Sequence, residues 1–348
     1  MNILQISSAS SFGGGERYLA DLTNALSERG HDLYVAVRPK SPLPRHLRLP
    51  PERILTLPLR NALDVQSARE LDRFVRRRRI DIVHAHMARD YSLASYAARR
   101  RETKFIVTRH VLFKLSRIHR HTLARAARVI AVSQAVAKEL RASGVVREEQ
   151  IAVIPNGIDV DRFERARAEA HRGLLVGSIG ELRTLKRHDD FIRAAAKIGS
   201  RFPETQFVLA GMGEGRKSLE QLVKELGLSD RFRFLGWVDE AEKLLCAMDV
   251  FVSASETESF GLAIVEAMAA ETAVVATRTE GAQEVIEDQK TGLLVPIGDV
   301  DRIADGVAEL LANPEKRHAM AARAKQAAKE RFSLSRMVAE IEKIYLSV

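Results

Sequence analysis

The feature that most restricts the fold of this chain is an alternation of strand-like and helix-like runs, repeated along its whole length. Short runs of Val, Ile, Leu and Ala are followed by longer runs with apolar residues at helical spacing. In the first half, strands are predicted at Ile3–Ile6, Leu33–Val37, Ile80–His84, Phe105–Thr108, Val129–Val132 and Ala152–Ile154. Helices are predicted near Glu16–Glu28, Val65–Arg79, Tyr91–Arg101, Arg117–Ala127 and Gln134–Ala142. The second half repeats the pattern, with strands at Leu174–Ile179, Gln206–Leu209, Phe232–Leu235, Val250–Val252, Ala273–Ala276 and Leu293–Val295. Its helices are predicted near Arg187–Arg201, Glu214–Leu226, Glu240–Ala247, Leu262–Ala270, Ala282–Ile286, Asp301–Leu311, Pro314–Arg331 and Leu334–Leu346.

Apolar strands separated by helices form parallel sheets covered on both faces. A chain of 348 residues suits two such units better than one. The reading is therefore α/β, with two Rossmann-like domains spanning 1–165 and 172–332. The polar stretch 159–172 reads as a linker. The last helix carries Met337, Val338, Ile341, Ile344 and Tyr345 on one side, and residues 333–348 are expected to pack back on the first domain.

Composition narrows the class. Aromatic residues make up 5% of the chain and charged residues 29%. No window of about 18 apolar residues would span a bilayer. The first residues read as a strand rather than a signal peptide, and a cytoplasmic protein is expected. The single cysteine, Cys246, excludes an intrachain disulfide and reads as a core filler. Charge is uneven: residues 1–165 hold 30 Lys and Arg against 17 Asp and Glu, and the remainder holds 25 against 29. The basic half should meet an anionic partner, either a membrane surface or an acceptor. Low aromatic content and the lack of a binding motif argue against nucleic acid. The basic run Arg76–Arg79 closes a helix, where cations suit the dipole.

The unusual residues fall beyond the carboxyl ends of the predicted strands, where open parallel sheets bind ligands. In the first half these are Gly13-Gly14-Gly15, His84 and His86, Arg109-His110, and Asn156-Gly157. In the second they are Gly180 to Lys186, Gly211-Met212-Gly213, Gly236-Trp237-Val238, and the stretch from Glu258. Gly13 to Gly15 is no dinucleotide fingerprint, since Tyr18 stands where the third glycine belongs. His84 and His86 lack a third ligand at a recognisable spacing, so no metal site is expected.

Glu258 to Glu266 carries the most chemistry. A strand, Val250–Val252, leads through a polar loop into a helix rich in Ala, Met and Glu. Its N-terminus offers unspent N–H groups and partial positive charge, a natural phosphate site. Gly261 lets the backbone approach a ligand closely. Glu266, inside the helix, can accept from the two hydroxyls of a ribose.

Two glutamates separated by seven residues, with Phe260-Gly261 between them, resemble the E-x7-E motif of retaining glycosyltransferases, most closely those of glycosyltransferase family 4. Gly180 to Lys186 is similar to that family's phosphate loop, Gly14 and Gly15 to its N-terminal glycine loop, and His110 to its histidine near the reacting sugar. The resemblance spans nearly the whole chain. It implies the GT-B architecture, with two Rossmann-like domains facing across a cleft. It implies a nucleotide-diphosphate sugar, expected to be a UDP-sugar, as substrate, a glycan or lipid-linked acceptor, no cofactor and no metal. Glu266 would hold the ribose. Backbone groups of Ser259, Phe260, Gly261 and Leu262, with Lys186, would hold the diphosphate. Gly213, Trp237 and Val238 would frame the base, while Glu258 and His110 stand near the sugar. One position departs: Glu181 replaces the family's arginine, and Arg183 is the nearest substitute. The expected location is cytoplasmic and peripheral to the membrane's inner face.

Two other functions fit the same architecture. A sugar-nucleotide epimerase would need no acceptor, and a non-catalytic sugar-nucleotide-binding module would make no product.

Overall fold

The computed structural model describes residues 1–100, 102–166 and 173–348. It divides into two compact units, Met1–Ile158 with Leu334–Val348, and Asp159–Ser333.

The first unit is built on seven strands: β1 (Asn2–Ser7), β2 (Asp32–Val37), β3 (Ile54–Thr56), β4 (Ile82–Ala85), β5 (Lys104–Arg109), β6 (Arg128–Ala131) and β7 (Ile151–Val153). Their order is β3-β2-β1-β4-β5-β6-β7, and every pairing is parallel. The order reverses between β1 and β4, in register from Ile3 opposite Ile82 to Ile6 opposite Ala85. Ile3, Leu33, Ile82, Ile106 and Ile130 form the floor of one core. The helix Leu334–Ser347 closes that core with Met337, Val338, Ile341 and Tyr345.

The second unit has six parallel strands: β8 (Leu175–Ile179), β9 (Gln206–Ala210), β10 (Phe232–Gly236), β11 (Val250–Ser253), β12 (Ala273–Thr277) and β13 (Leu293–Val295). Their order is β10-β9-β8-β11-β12-β13, so the reversal lies between β8 and β11. Phe191, Phe207 and Phe232 meet in its core.

Four expectations are corrected. The edge strand β3 lies between Pro50-Pro51 and Pro58, too short to show periodicity. The predicted linker begins with a helix, Val160–Arg165, because Val160 and Phe163 are buried on one face. The unit boundary therefore falls after Ile158 rather than after residue 165. The predicted helix from Arg117 shrinks to a 3-10 turn, Arg117–His119, and one short helix, Arg120–Leu123. Residues 167–172 of the predicted linker, and Arg101 at the predicted end of a helix, lie outside the described residues.

Because Ile341 is fully buried among β-strand side chains, Ile341→Ala should cost about 2–5 kcal/mol. Hydrogen exchange of the β1 amides should accelerate accordingly, and unchanged β1 protection would show that the last helix does not support that core.

Candidate active site

In the second unit the reversal between β8 and β11 brings two loops together. The β8 loop ends in a 3-10 turn, Thr184–Lys186. The β11 loop runs from Ala254 to Gly261, which stands at φ 91° as N-cap of the helix Leu262–Ala269. That left-handed backbone favours glycine. Lys186 Nζ donates to Glu258 Oε1 at 2.6 Å, and Ser255 Oγ donates to the same oxygen at 2.8 Å. Ile264 N is already bonded to Gly261 O at 3.0 Å. The N–H groups ahead of it have no intrahelical acceptor and remain an anion site. Glu266 lies half-buried on the second turn of the same helix. Lys186, Glu258, Gly261 and Leu262 thus share one strand-edge crevice, with Ser259 and buried Phe260 on the connecting loop.

The phosphate-like loop is held by backbone packing. A Cβ on Gly211, at φ 140°, would lie 1.8 Å from Gly180 O, and one on Gly213 would lie 2.6 Å from Leu182 O. Gly211 and Gly213 therefore have a structural duty, clamping the β8 loop from the β9 side. Trp237 is exposed, and its indole donates to Asp239 at 2.7 Å. Val238, the next residue, is half-buried.

The substitution at the arginine position is accommodated locally. Arg183 Nε pairs with Glu181 Oε1 at 2.7 Å, and both are exposed. Arg187, at φ 46°, occupies a left-handed position where a glycine is usual. Its guanidinium pairs with Asp190 at 2.6 Å and faces Glu256 at 3.8 Å. Next to it, His188 is buried and held neutral, its pKa lowered to about 4 by desolvation, while Nε2 meets Glu181 O at 3.2 Å.

In the first unit, His110 follows β5 and stands against the glycine loop, with its Cγ 4.0 Å from the Cβ position of Gly15. Gly14 opens the helix Gly14–Glu28, and Glu16 reaches back to Gly13 N at 3.1 Å. His84, His86 and His110 form a cluster. Burial lowers the pKa of His84 and His110 to about 3, and that of His86 far below its ordinary value. These rings are held neutral, and both nitrogens of His84 and of His86 lie at hydrogen-bond distance from a partner. Among the described residues no group of three or more His, Cys, Asp or Glu could hold a metal ion.

One feature had no sequence signal. Asp90 is fully buried, accepts from Ser8 N at 2.8 Å across the β1–β4 reversal, and is raised by desolvation to about 6. Its preceding residues, Ala88 and Arg89, read only as a loop.

Comparison with known proteins fits this geometry. Residues 12–162 match the Glycosyltransferase Family 4 family, and residues 159–327 match Glycosyl transferases group 1. The chain is a member of glycosyltransferase family 4. It is 31% identical, over 92% of both chains, to the lipopolysaccharide core biosynthesis glycosyltransferase LpsE of Rhizobium meliloti. It is 30% identical to the N-acetyl-alpha-D-glucosaminyl L-malate synthase of Bacillus anthracis, over 82% of this chain and 79% of that one. The crystal structure of Anabaena HepE in complex with UDP and glucose superposes with a TM-score of 0.87 over 100% of both chains, at 22% identity. The chain is thus a glycosyltransferase with the GT-B fold and two Rossmann-like units.

With Arg183 spent on Glu181 and Lys186 beside Glu258, the two cations of this loop should not be equivalent. Removing one preorganised donor to a leaving group costs about 10²–10³ in turnover. Lys186→Ala should show that loss in kcat at saturating donor, and Arg183→Ala should stay within about tenfold of wild type. Equal losses would place Arg183 at the diphosphate as well.

Proposed function

We propose that this glycosyltransferase moves a hexosyl group, with retention and without a divalent metal, from a UDP-sugar to a glycan or lipid-linked acceptor at the cytoplasmic membrane face. The observation that carries the reading is the crevice between β8 and β11, where Lys186, Glu258 and the N-terminus of the helix Leu262–Ala269 converge. Departure of the diphosphate develops negative charge. Lys186 and the N–H groups near Leu262 are fixed donors aimed at it, which lowers the barrier. Glu266 holds the ribose, Glu258 orients the sugar, and backbone groups at Trp237 and Val238 meet the base. His110, beside Gly14 and Gly15, serves the reacting sugar. The UDP of the HepE complex and the lipopolysaccharide core assigned to LpsE support this choice of donor and acceptor class.

The membrane half of the proposal rests on the segment after β5. Phe113 is 64% exposed and Ile118 78%. Lys114, Arg117, Arg120 and Arg125 are exposed beside them. Apolar side chains interleaved with cations suit an anionic interface, where each cation contributes on the order of 1 kcal/mol, screened by salt. Among the described residues no helix is long and apolar enough to cross a membrane.

A thermal-shift panel of nucleotide sugars tests the donor. The preferred UDP-sugar at a hundred times its dissociation constant should stabilise by about 2.7 kcal/mol. Glu266→Ala should weaken its binding by roughly 1.5–3 kcal/mol. Equal affinity in both proteins would remove Glu266 from the ribose. Transfer should persist in excess chelator, and the product should keep the donor's anomeric configuration. A new sugar nucleotide formed from donor alone would favour an epimerase.

The vesicle test is separate. Co-sedimentation with anionic vesicles at low salt should fall severalfold in a Phe113→Asp, Ile118→Asp double variant, and equal binding to neutral vesicles would remove the membrane surface.

A further inference from the structure

Arg187 keeps a backbone conformation that its own Cβ disfavours. It stands at φ 46° and ψ 44° between the 3-10 turn Thr184–Lys186 and the helix His188–Arg201. Such a position persists only where surrounding contacts hold it. Here the contacts are made by the guanidinium. Its Nε donates to Asp190 Oδ2 at 2.6 Å, and Asp190 is buried in the first turn of that helix. Its Nη1 lies 3.8 Å from Glu256 Oε2, on the loop after β11. Its Nη2 packs on the loop after β13, 3.3 Å from where a Cβ on Gly298 would stand. One side chain thus touches the segments that follow β8, β11 and β13.

The residues just before it reach the same loop. Leu185 O accepts from Glu256 N at 2.9 Å, and Lys186 Nζ donates to Glu258 Oε1 at 2.6 Å. Leu185, Lys186 and Arg187 therefore each engage the β11 loop, and Glu256 is held both by its N–H and by its carboxylate. The turn closes on itself through Lys186 N to Arg183 O and Arg187 N to Thr184 O, both at 2.9 Å. Because Arg187 N is spent there, Asp190 takes the guanidinium in place of the N-cap N–H that a capping box would offer it. A glycine at this position would satisfy the backbone and leave the turn hinged. The pair with Glu256 is at the surface and adds little stability by itself. What it fixes is the direction of the turn.

We propose that Arg187 is a positioning residue, a bracket that holds the turn carrying Lys186 against the loop carrying Glu258, so that the Lys186 ammonium is in place before the leaving group develops its charge. The proposal rests on the reading that Lys186 meets that leaving group. The bracket stands apart from that reading, since all of its contacts lie within the second unit.

Arg187→Gly is the informative change, because it removes the guanidinium and suits the left-handed backbone. It leaves Asp190 buried without its cation, so Arg187→Gly combined with Asp190→Asn supplies a second form, in which that side chain is neutral. Hydrogen exchange of the full-length protein reads the bracket without substrate. The Glu256 and Arg187 amides should exchange severalfold faster in both forms, while the β8 amides keep their wild-type rates. Transfer at saturation, from the donor that the nucleotide-sugar panel selects, reads the positioning. Here kcat should fall by up to about 10²-fold, the loss that a displacement on the order of 1 Å can cause. In a Lys186→Ala background the same change should cost far less, because residues that act as one unit are not additive. Arg187→Lys should recover little, since a single ammonium lacks the fork that spans Asp190 and Glu256.

Wild-type exchange at Glu256 in both glycine forms overturns the bracket. Equal fold-losses of kcat in the wild-type and Lys186→Ala backgrounds mean that Arg187 does not act through Lys186, and they overturn the positioning role. Unchanged kcat in the glycine forms, beside a large loss in Lys186→Ala, also overturns it and leaves the donor-site reading intact. If Lys186→Ala itself keeps wild-type kcat, the donor-site reading fails and the positioning role falls with it.

Discussion

The contact between Lys186 and Glu258 depends on where a parallel sheet reverses its strand order. The two residues are 72 positions apart. They meet because β8 and β11 are neighbours, whereas β9 and β10 fill the opposite side of β8. Only at such a reversal do the loops after two adjacent strands diverge and leave a crevice. The helix that follows β11 then points its N-terminus at that crevice, so a cation, a carboxylate and unspent N–H groups collect where the connectivity makes room for them. The first unit obeys the same constraint. Ser8 N meets Asp90 across the β1–β4 reversal, and Gln5 meets His86 one step below it.

The two units solve opposite electrostatic problems. On the proposed reading the second receives an anionic leaving group, and it keeps Lys186 partly exposed with Glu258 as its partner. The first buries imidazoles, and desolvation makes their charged forms costly. A neutral imidazole is both donor and acceptor, so it can sit in a closed chain of hydrogen bonds without an ion partner. A charged cluster in the same place would need a buried counterion.

Much of this was legible in the sequence, for a physical reason. Strands buried on both faces, such as Val250–Ser253 and Ala273–Thr277, read as continuous apolar runs. Residues at their carboxyl ends could therefore be placed without coordinates. What was not legible depends on distance or on single side chains. The strand Ile54–Thr56 is three residues long and owes its pairing to β2. The helix Val160–Arg165 has two apolar residues among charged ones, and only tertiary burial shows that they matter. Tyr345 and His84 are separated by 261 positions. Gln5 did carry a signal, a polar residue inside Ile3-Leu4-Gln5-Ile6, but its two partners, His86 and Tyr345, come from beyond β4 and from the last helix. The glycines of Gly211-Met212-Gly213 read as a ligand loop, whereas Gly211 is required where its Cα passes against the carbonyl of Gly180.

On the proposed assignment of the donor site, the pairing of Lys186 with Glu258 also bears on how a donor enters. Glu258 is partly shielded and already accepts from Ser255, so removing its cation leaves a carboxylate with one remaining donor. That loss is small at a surface pair and grows with burial. A diphosphate arriving at the helix N-terminus offers Lys186 more negative charge than one carboxylate does. A sugar hydroxyl arriving with it can replace the ammonium as a donor to Glu258. The two halves of a nucleotide sugar thus compensate each other's cost, since the diphosphate takes the cation and the sugar satisfies the carboxylate. A nucleoside diphosphate without its sugar would supply only the first half, which makes the intact donor the better match for this crevice.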